Sequence, residues 1–274
     1  MKKNIFLSSL IFLSLSCSSS NDDETIIVDP QYPILVTKAI VDGDVYIVKY
    51  DGIKILEESN SDGSNKFVYT YTGNFITQIN DYSNGSLRST ADFTYDGDKL
   101  INVKEVSITS GSNTTSTKTL TYTYPNSTTI NCTQIRNYTF AGNSQTDKSD
   151  IVYTVKDGDV ISSKEKYYHN NVLAGNLTET YTYDDKNNPF KNILGFDKME
   201  LYNPWASNDN LSGKKNLVLF TNANTPTNSA SSSYKIMYTT SYNNKDYPNQ
   251  ITETQYNSSN QAGSSHTTIF TYNQ

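Results

Sequence analysis

The fold of this chain is decided by a pattern whose clearest copy is Phe93-Thr94-Tyr95-Asp96-Gly97-Asp98-Lys99-Leu100-Ile101-Asn102-Val103-Lys104-Glu105-Val106. Two alternating apolar and polar runs flank an Asp-Gly pair. Both positions of a tight hairpin turn favour a positive φ, which Asp-Gly tolerates. Side chains of a strand point alternately to opposite faces of a sheet. The stretch therefore predicts two antiparallel strands joined by a tight turn.

The same pattern returns along the chain and predicts a repeat architecture. An aromatic residue, Thr or a similar residue, Tyr, and then Asp, Asn or Gly recur every 24 to 31 residues. Copies lie at 69–73, 93–97, 122–126, 181–185 and 270–273, with weaker copies at 48–52, 153–158 and 240–244. Two strands in each unit predict about fourteen to sixteen strands. We expect an all-β domain of repeated antiparallel hairpins that form a large curled meander or a barrel-like sheet, without a long amphipathic helix.

The alternation also predicts which face of the sheet is buried. Leu120, Tyr122 and Tyr124 share one side of their strand, and three threonines share the other. Tyrosine rings bury a large area, but each hydroxyl needs water or a partner. A membrane-spanning barrel shows the same alternation. The aromatic face lacks the Leu, Val, Ile and Ala density of a lipid-facing band, so we favour a barrel that does not span the membrane.

One segment breaks the repeat. Fifty-nine residues separate Tyr183 from Tyr242, and residues 193–202 between Pro189 and Pro204 could form one or two short helical turns. This short irregular or helical insertion is expected to plug or cover one open end of the sheet. The alternative is a lid that contacts a ligand.

The composition excludes several classes of protein. The chain has 274 residues with 22 Tyr, 10 Phe, 7 Pro and two cysteines, and its formal charge is −6. It is therefore not collagen, a disulfide scaffold, a coiled coil or a polytopic helical membrane protein. Aromatic residues continue to the C-terminus, unlike in acidic disordered chains. The negative charge argues against a nucleic-acid partner.

The first sixteen residues are typical of an export signal. Two lysines precede an apolar stretch from Ile5 to Leu15, which is too short to span about 30 Å of hydrocarbon. The stretch ends Leu13-Ser14-Leu15-Ser16-Cys17, which resembles the bacterial lipobox. The resemblance implies that residues 1–16 are removed and that Cys17 becomes the lipidated first residue. Several acyl chains anchor stably, at about 0.8 kcal/mol per buried methylene.

Residues 17–31 are expected to form the lipidated cysteine and a flexible tether, and residues 32–274 a single domain. The acidic run Asn21-Asp22-Asp23-Glu24 resembles the signal that exports lipoproteins of Bacteroidetes to the outer leaflet. We expect a lipid-anchored outer-membrane protein on the cell surface, with the periplasmic leaflet as the alternative. The remaining cysteine, Cys132, lies in an alternating strand and is expected to be a small buried hydrophobe.

These features together resemble a family. The signal, the lipobox, the Tyr-rich units and the run from Tyr181 to Ile193, with Asn188-Pro189-Phe190, are similar to Bacteroidetes lipoproteins of unknown function. The resemblance implies a porin-like β fold and lends no catalytic residue. The units also resemble the Tyr-Asp repeats of Rhs-type shells, although the Arg and the second Gly of those repeats are mostly missing.

The sequence contains no catalytic or metal-binding motif. His169 and His266 lack the spacing of a zinc site, and exposed strand or turn positions are expected for both. Three Asp-Gly-Asp triplets lack the further ligands of a Ca²⁺ site and are explained by hairpin turns. The carboxylate pairs Glu57-Glu58 and Asp184-Asp185 are expected to be solvated at turns or strand ends. We expect no metal and no cofactor.

The sequence therefore predicts a non-enzymatic lipoprotein of the cell envelope that serves in binding or scaffolding. Its expected partners are the membrane, through Cys17, and a glycan or an envelope protein. Sugars stack on Tyr and Trp faces, so Tyr202 and Trp205 in the irregular segment are the expected glycan contacts. A carbohydrate-active hydrolase and a structural component of an outer-membrane assembly stay open as alternatives.

Overall fold

A computed structural model describes residues 33–108, 115–140, 142–199, 201–202 and 213–274. From Pro33 onward these residues form one compact unit. The predicted signal peptide, Cys17 and tether lie outside the described residues. The strands are β1 Val36–Val41, β2 Asp44–Asp51, β3 Lys54–Asn60, β4 Asn65–Thr72, β5 Phe75–Ser83, β6 Ser86–Asp96, β7 Lys99–Ile108, β8 Thr115–Asn126, β9 Thr129–Phe140, β10 Asn143–Lys156, β11 Asp159–His169, β12 Val172–Asn187, β13 Lys215–Pro226, β14 Ser232–Tyr242, β15 Pro248–Asn257 and β16 Ala262–Tyr272. A 3-10 helix covers Phe196–Met199.

These sixteen strands form a closed antiparallel barrel. Each strand pairs with its neighbours in the chain, and β1 pairs with β16, with Val36 opposite Tyr272. Next to this seam the Leu35 amide donates to Asn273 Oδ1 at 2.9 Å, and the Asn273 amide donates to the Leu35 carbonyl at 3.1 Å. The predicted all-β meander is confirmed. Closure leaves no strand of the barrel unpaired, so the sheet has no exposed edge.

The up-and-down order gives the barrel two distinct ends. One end, called the plug end, carries both ends of the described chain and the turns at 52–53, 73–74, 97–98, 127–128 and 157–158. The opposite end, called the far end, carries the turns at 42–43, 61–64, 84–85, 170–171 and 258–261. The irregular segment between β12 and β13 begins and ends at the plug end.

The Asp-Gly turns are confirmed with one shift. Asp42 and Gly43 both have positive φ, at 51° and 101°, as do Asp157 and Gly158, at 56° and 91°. In the copy that defined the pattern, Asp96 instead pairs with Lys99 in the ladder, so the turn consists of residues 97 and 98. Gly97 has a φ of 59°, a value at which any side chain would be strained.

The predicted faces are confirmed. Leu120 and Tyr122 are buried inside the barrel, whereas Thr121 and Thr123 are exposed outside. Cys132, opposite Tyr122 on β9, is only 2 % exposed. Burial raises the pKa of its thiol to about 12, which is the behaviour of the small buried hydrophobe that the sequence predicted.

Several tyrosine hydroxyls on the inner face find their partners in the wall itself. Five inward-facing tyrosines, which we call the tyrosine collar, each donate to a main-chain carbonyl at the plug-end start of the strand before them, at 2.6–2.8 Å. The donor and acceptor pairs are Tyr50–Val36, Tyr95–Ile76, Tyr124–Leu100, Tyr183–Val160 and Tyr272–Pro248. A buried ring thus keeps its polar atom satisfied.

The outer wall is polar over the length of the strands. Exposed charges project from mid-strand positions, including Asp92 on β6, Lys104 on β7 and Lys164 on β11. Exposed apolar side chains such as Ile135 and Met237 are interspersed among Thr, Asn and Lys. A barrel that spans a bilayer instead presents an apolar outer band about 25 Å tall. The inner face of the barrel wall is therefore aromatic and the outer face is polar.

Among the described residues, no helix has the length and apolar character needed to cross a membrane.

Candidate functional site inside the barrel

The irregular segment enters the barrel and forms a plug, defined here as residues 188–199 and 201–202. Its buried side chains are spaced three residues apart: Phe190, Ile193, Phe196, Met199 and Tyr202. Hydrogen bonds between residues three apart accompany this spacing, for example from the Ile193 amide to the Phe190 carbonyl at 3.0 Å. Side chains at i and i+3 lie above one another in a 3-10 helix. The plug thus presents one apolar face to the wall, and the expected helical insertion is confirmed.

Hydrogen bonds fix the plug to several parts of the wall. The Leu194 amide donates to the Ile53 carbonyl at 2.9 Å, and Tyr71 donates to the Leu194 carbonyl at 3.0 Å. Tyr122 donates to the Leu201 carbonyl at 2.9 Å. These contacts join the plug to the β2–β3 turn, β4 and β8, so it is held from more than one side of the barrel.

Tyr202 lies at the inner end of the plug. Its side chain is 7 % exposed, its ring meets the Phe93 ring edge-on at 5.0 Å, and its hydroxyl donates to Glu105 Oε2 at 3.0 Å. Burial, and the neighbouring Glu105 carboxylate, raise the pKa of its hydroxyl. The ring is therefore part of the core rather than an outer platform. Trp205 lies outside the described residues, and glycan contact by these two residues stays a prediction.

The far half of the interior is polar. Glu179 on β12 accepts three hydrogen bonds, from Ser163 at 2.9 Å, Tyr181 at 2.8 Å and Asn222 at 3.1 Å. Glu165 on β11 accepts one, from Ser149. Burial, and then the nearby Glu179 carboxylate, raise the pKa of Glu165. The two neighbouring carboxyls therefore differ in their surroundings: Glu179 accepts three hydrogen bonds, whereas Glu165 accepts one and has a raised pKa.

An inward tyrosine lies next to this carboxyl pair. Tyr167 on β11 pairs with Gly175 on β12, and its phenol end lies directly over that glycine. A side chain at residue 175 would collide with the ring, so glycine is required there. The Tyr167 hydroxyl donates to Asn224 Oδ1 at 2.9 Å. The far half thus combines carboxyls, amides and an aromatic ring on one stretch of wall.

Glu58 corrects a sequence expectation. Glu57 faces outward and bonds Lys49 at 2.8 Å, whereas Glu58 faces the interior between Val48 and Phe67 and is 6 % exposed. Burial raises the pKa of Glu58 well above its ordinary value, with no opposing contribution from another described residue. The expected solvation of this pair was half wrong, because successive residues of a strand point to opposite faces.

The histidines lie at exposed positions, as predicted. His169 and His266 are both near the far end, where His169 Nδ1 lies 2.7 Å from Asp147 Oδ1 and His266 bonds Asp42. The hydrogen bond with Asp42 raises the pKa of His266. Within the described ranges, no three His, Cys, Asp or Glu side chains are grouped so that they could hold a metal ion.

Comparison with solved structures finds two porin-like proteins. A porin-like protein from Bacteroides vulgatus ATCC 8482 superposes with a TM-score of 0.56 at 15 % identity, covering 87 % of this chain and 99 % of its own. A porin-like protein from Bacteroides uniformis ATCC 8492 gives a TM-score of 0.43 at 12 % identity, covering 88 % and 98 %. The chain shares the fold of the first of these proteins. No family model and no curated protein matches the sequence.

The expected porin-like β fold is thereby confirmed. Kinship with Bacteroidetes lipoproteins and with Tyr-Asp repeat proteins stays a prediction, because a likeness at this identity concerns the fold alone. Sequence reasoning missed the polar group around Glu165, Glu179 and Tyr167, for which no spacing gave a signal. It also missed the buried Glu58 and the three-residue spacing of the plug. The spacing of the plug was readable at positions 190, 193, 196, 199 and 202, where an apolar or aromatic residue recurs without interruption.

Proposed function

We propose that this chain is a lipid-anchored protein of the outer membrane, exposed at the cell surface, whose barrel stands outside the bilayer and binds a glycan without catalysing a reaction. The polar outer wall carries this proposal. Charged side chains such as Lys104 and Lys164 lie where a spanning barrel needs apolar ones, so the barrel alone has no affinity for hydrocarbon. Attachment then depends on the predicted lipid at Cys17.

Cell fractionation tests the anchor. We expect the parent chain in the membrane fraction, released by detergent only, and a Cys17→Ala variant in the soluble fraction. Cys132→Ala is the matched control and should stay with the membrane. A Cys17→Ala chain that remains in the membrane would show that the barrel itself inserts. Protease treatment of whole cells tests surface exposure, and replacing Asp22, Asp23 and Glu24 by Ala should abolish it.

The far half of the interior supports glycan binding. Carboxylates and amides such as Glu179 and Asn222 can bond pairs of sugar hydroxyls, and the ring of Tyr167 offers a stacking surface. Tyr167 and Tyr168 are neighbours on β11 that point to opposite faces, since Tyr168 lies outside beneath Lys148. They form a matched pair for mutagenesis.

A glycan array probed with the full chain tests this site. Tyr167→Ala should abolish selective binding, and Tyr168→Ala should leave it unchanged. A Tyr202→Ala, Trp205→Ala double variant forms a separate arm and tests the contacts predicted from the sequence. Absence of binding to every glycan would reject the glycan and favour an envelope protein as the partner.

One observation favours a hydrolase as the second candidate. The pKa of Glu165 is raised beside Glu179, and paired carboxyls with opposed environments are the arrangement of acid and base catalysts. Hydrolysis of an array glycan by the parent chain, lost in Glu165→Gln, would establish this candidate. Binding without turnover would reject it.

A further inference from the structure

A cavity lies at the plug end, away from the far half. Its volume is about 590 Å³, within the range of about 300–1,000 Å³ typical of small-molecule sites. It opens between the plug, represented by Leu201, and the wall strands β7 to β11. Its floor is apolar, with Leu100 and Val160 buried and Ile130 and Val155 beside them.

The rim of this cavity is cationic although the chain as a whole is acidic. Five charged side chains line it: Lys99, Lys198, Lys214, Asp98 and Asp197. Lys198 is paired with Asp197 at 3.1 Å. The described part of the chain places no carboxylate within 4.0 Å of the ammonium groups of Lys99 and Lys214. Lys99 and Lys214 can therefore receive an anion at the mouth. Besides Asp197, Asp98 is the one acidic side chain among the described residues of the lining, so the positive charges outnumber the negative ones.

Both of these lysines are held at the mouth by their surroundings. The Lys99 ammonium lies 5.2 Å from the centroid of the Tyr124 ring, a cation–π distance. Lys214 extends over Gly158, where a Cβ would lie 2.5 Å from its Nζ. Its own main-chain amide donates to Asp159 Oδ1 at 2.9 Å, which fixes the base of the side chain.

We propose that this cavity binds a single-chain anionic amphiphile, with the anionic head between Lys99 and Lys214 and the alkyl chain over Leu100, Ile130 and Val160. The floor is mostly aliphatic, with Tyr124 the single aromatic ring in the lining, which suits an alkyl chain better than a sugar or a base. The proposal concerns the opposite end of the barrel from the glycan site and does not depend on it.

Three ten-carbon probes test the proposal: decanoate, decanol and decylamine, titrated below micellar concentrations by calorimetry. The protein is the full chain carrying Cys17→Ser, so that no acyl group of its own can enter the cavity. We expect one decanoate per chain, bound at least tenfold more tightly than decanol or decylamine. Equal affinity for the three heads, or many weak sites, would overturn the proposal, as would no binding of decanoate.

The lysines are tested separately from the chain contact. A Lys99→Gln, Lys214→Gln variant should bind decanoate at least tenfold more weakly than the parent and should bind decanol with unchanged affinity. Lys104→Gln, Lys164→Gln is the matched control, since it removes the same charge from exposed outward positions on β7 and β11. With ¹³C-carboxyl decanoate, the bound head should titrate at a lower pH than the free acid, because nearby lysines favour its ionised form. Loss of affinity in the control variant as well would mean a general charge effect and would overturn the assigned site.

Discussion

At the scale of the residue, Glu57 and Glu58 show that moving one position along a strand reverses the direction of a carboxyl's pKa shift. Glu57 lies outside, where a hydrogen bond from Lys49 lowers its pKa. Glu58 lies inside, where burial raises its pKa above the ordinary value of 4.5. The folded state therefore binds the Glu58 proton more tightly than the unfolded chain does. Its contribution to the free energy of unfolding declines as the pH rises from about 4.5 toward the folded pKa.

This pair predicts variants of opposite sign. Glu58→Gln should be more stable than the parent at pH 8, since the amide avoids an unpaired buried charge, and the difference should vanish near pH 4. Glu57→Gln should lose about 0–1 kcal/mol at pH 8, the worth of an exposed ion pair. Urea unfolding at pH 4, 6 and 8 measures both. A Glu58→Gln variant that is less stable at pH 8 would contradict this account.

At the scale of the element, the repeated unit is a strand pair whose last tyrosine is tied to the preceding strand. Register shifts accompany this tyrosine in several units, as between Thr94 and Tyr95 and between Thr182 and Tyr183. A bulge bends the strand and re-aims the side chain. The tyrosine collar thus explains why Tyr, rather than Phe, recurs just before the turn: the hydroxyl donates to a main-chain carbonyl of the preceding strand, which a Phe ring could not do.

The plug is the element that departs from this rule, and its packing predicts a stability difference. Ile193 is 3 % exposed in the plug, and its change to Ala should lower the free energy of unfolding by about 2–5 kcal/mol. Ile135 is 39 % exposed on the outer wall, and the same change there should alter the free energy of unfolding by no more than about 0.5 kcal/mol. Chemical denaturation compares the two variants. Equal losses would mean that the plug is not part of the cooperative core.

At the scale of the whole molecule, closure of the barrel depends on the last strand. Every pair between β1 and β16 uses residues 268–272, which face Val36 to Val41. These pairs join the two ends of the described chain. They remove the two edges that an open meander of this size would expose to other molecules.

Truncation tests the importance of closure. Removal of residues 268–274 should leave one edge of β1 unpaired and remove the β16 partners of Gln250 and Ile251 on β15. The opened sheet should aggregate, measured by light scattering and gel filtration. Removal of Gln274 alone should change neither, since this residue lies beyond the last pair of β1 with β16 and its hydrogen bond from Lys245 is exposed. A monomeric, soluble product of the longer truncation would show that the sheet tolerates an open edge.

Much of the fold was readable because strand alternation and turn chemistry are local. In residues 120–124 the alternation of side chains alone indicated the buried face. The turns at Gly43 and Gly158 were indicated by their Asp-Gly pairs. The candidate site was less readable. Glu165 and Glu179 come together by pairing of β11 with β12, and no spacing in the sequence indicates the number of donors around each carboxyl.

By itself the sequence determined the hairpins, their approximate number, the aromatic inner face and the existence of an irregular insertion, because each depends on neighbours a few residues apart. Only the tertiary structure decided that sixteen strands close, that the plug lies inside the barrel, and that Glu58 is buried while Glu57 is not. These outcomes depend on contacts between distant segments. The energies of these contacts depend on which side chains lie around a residue in space, and not on its neighbours in the sequence.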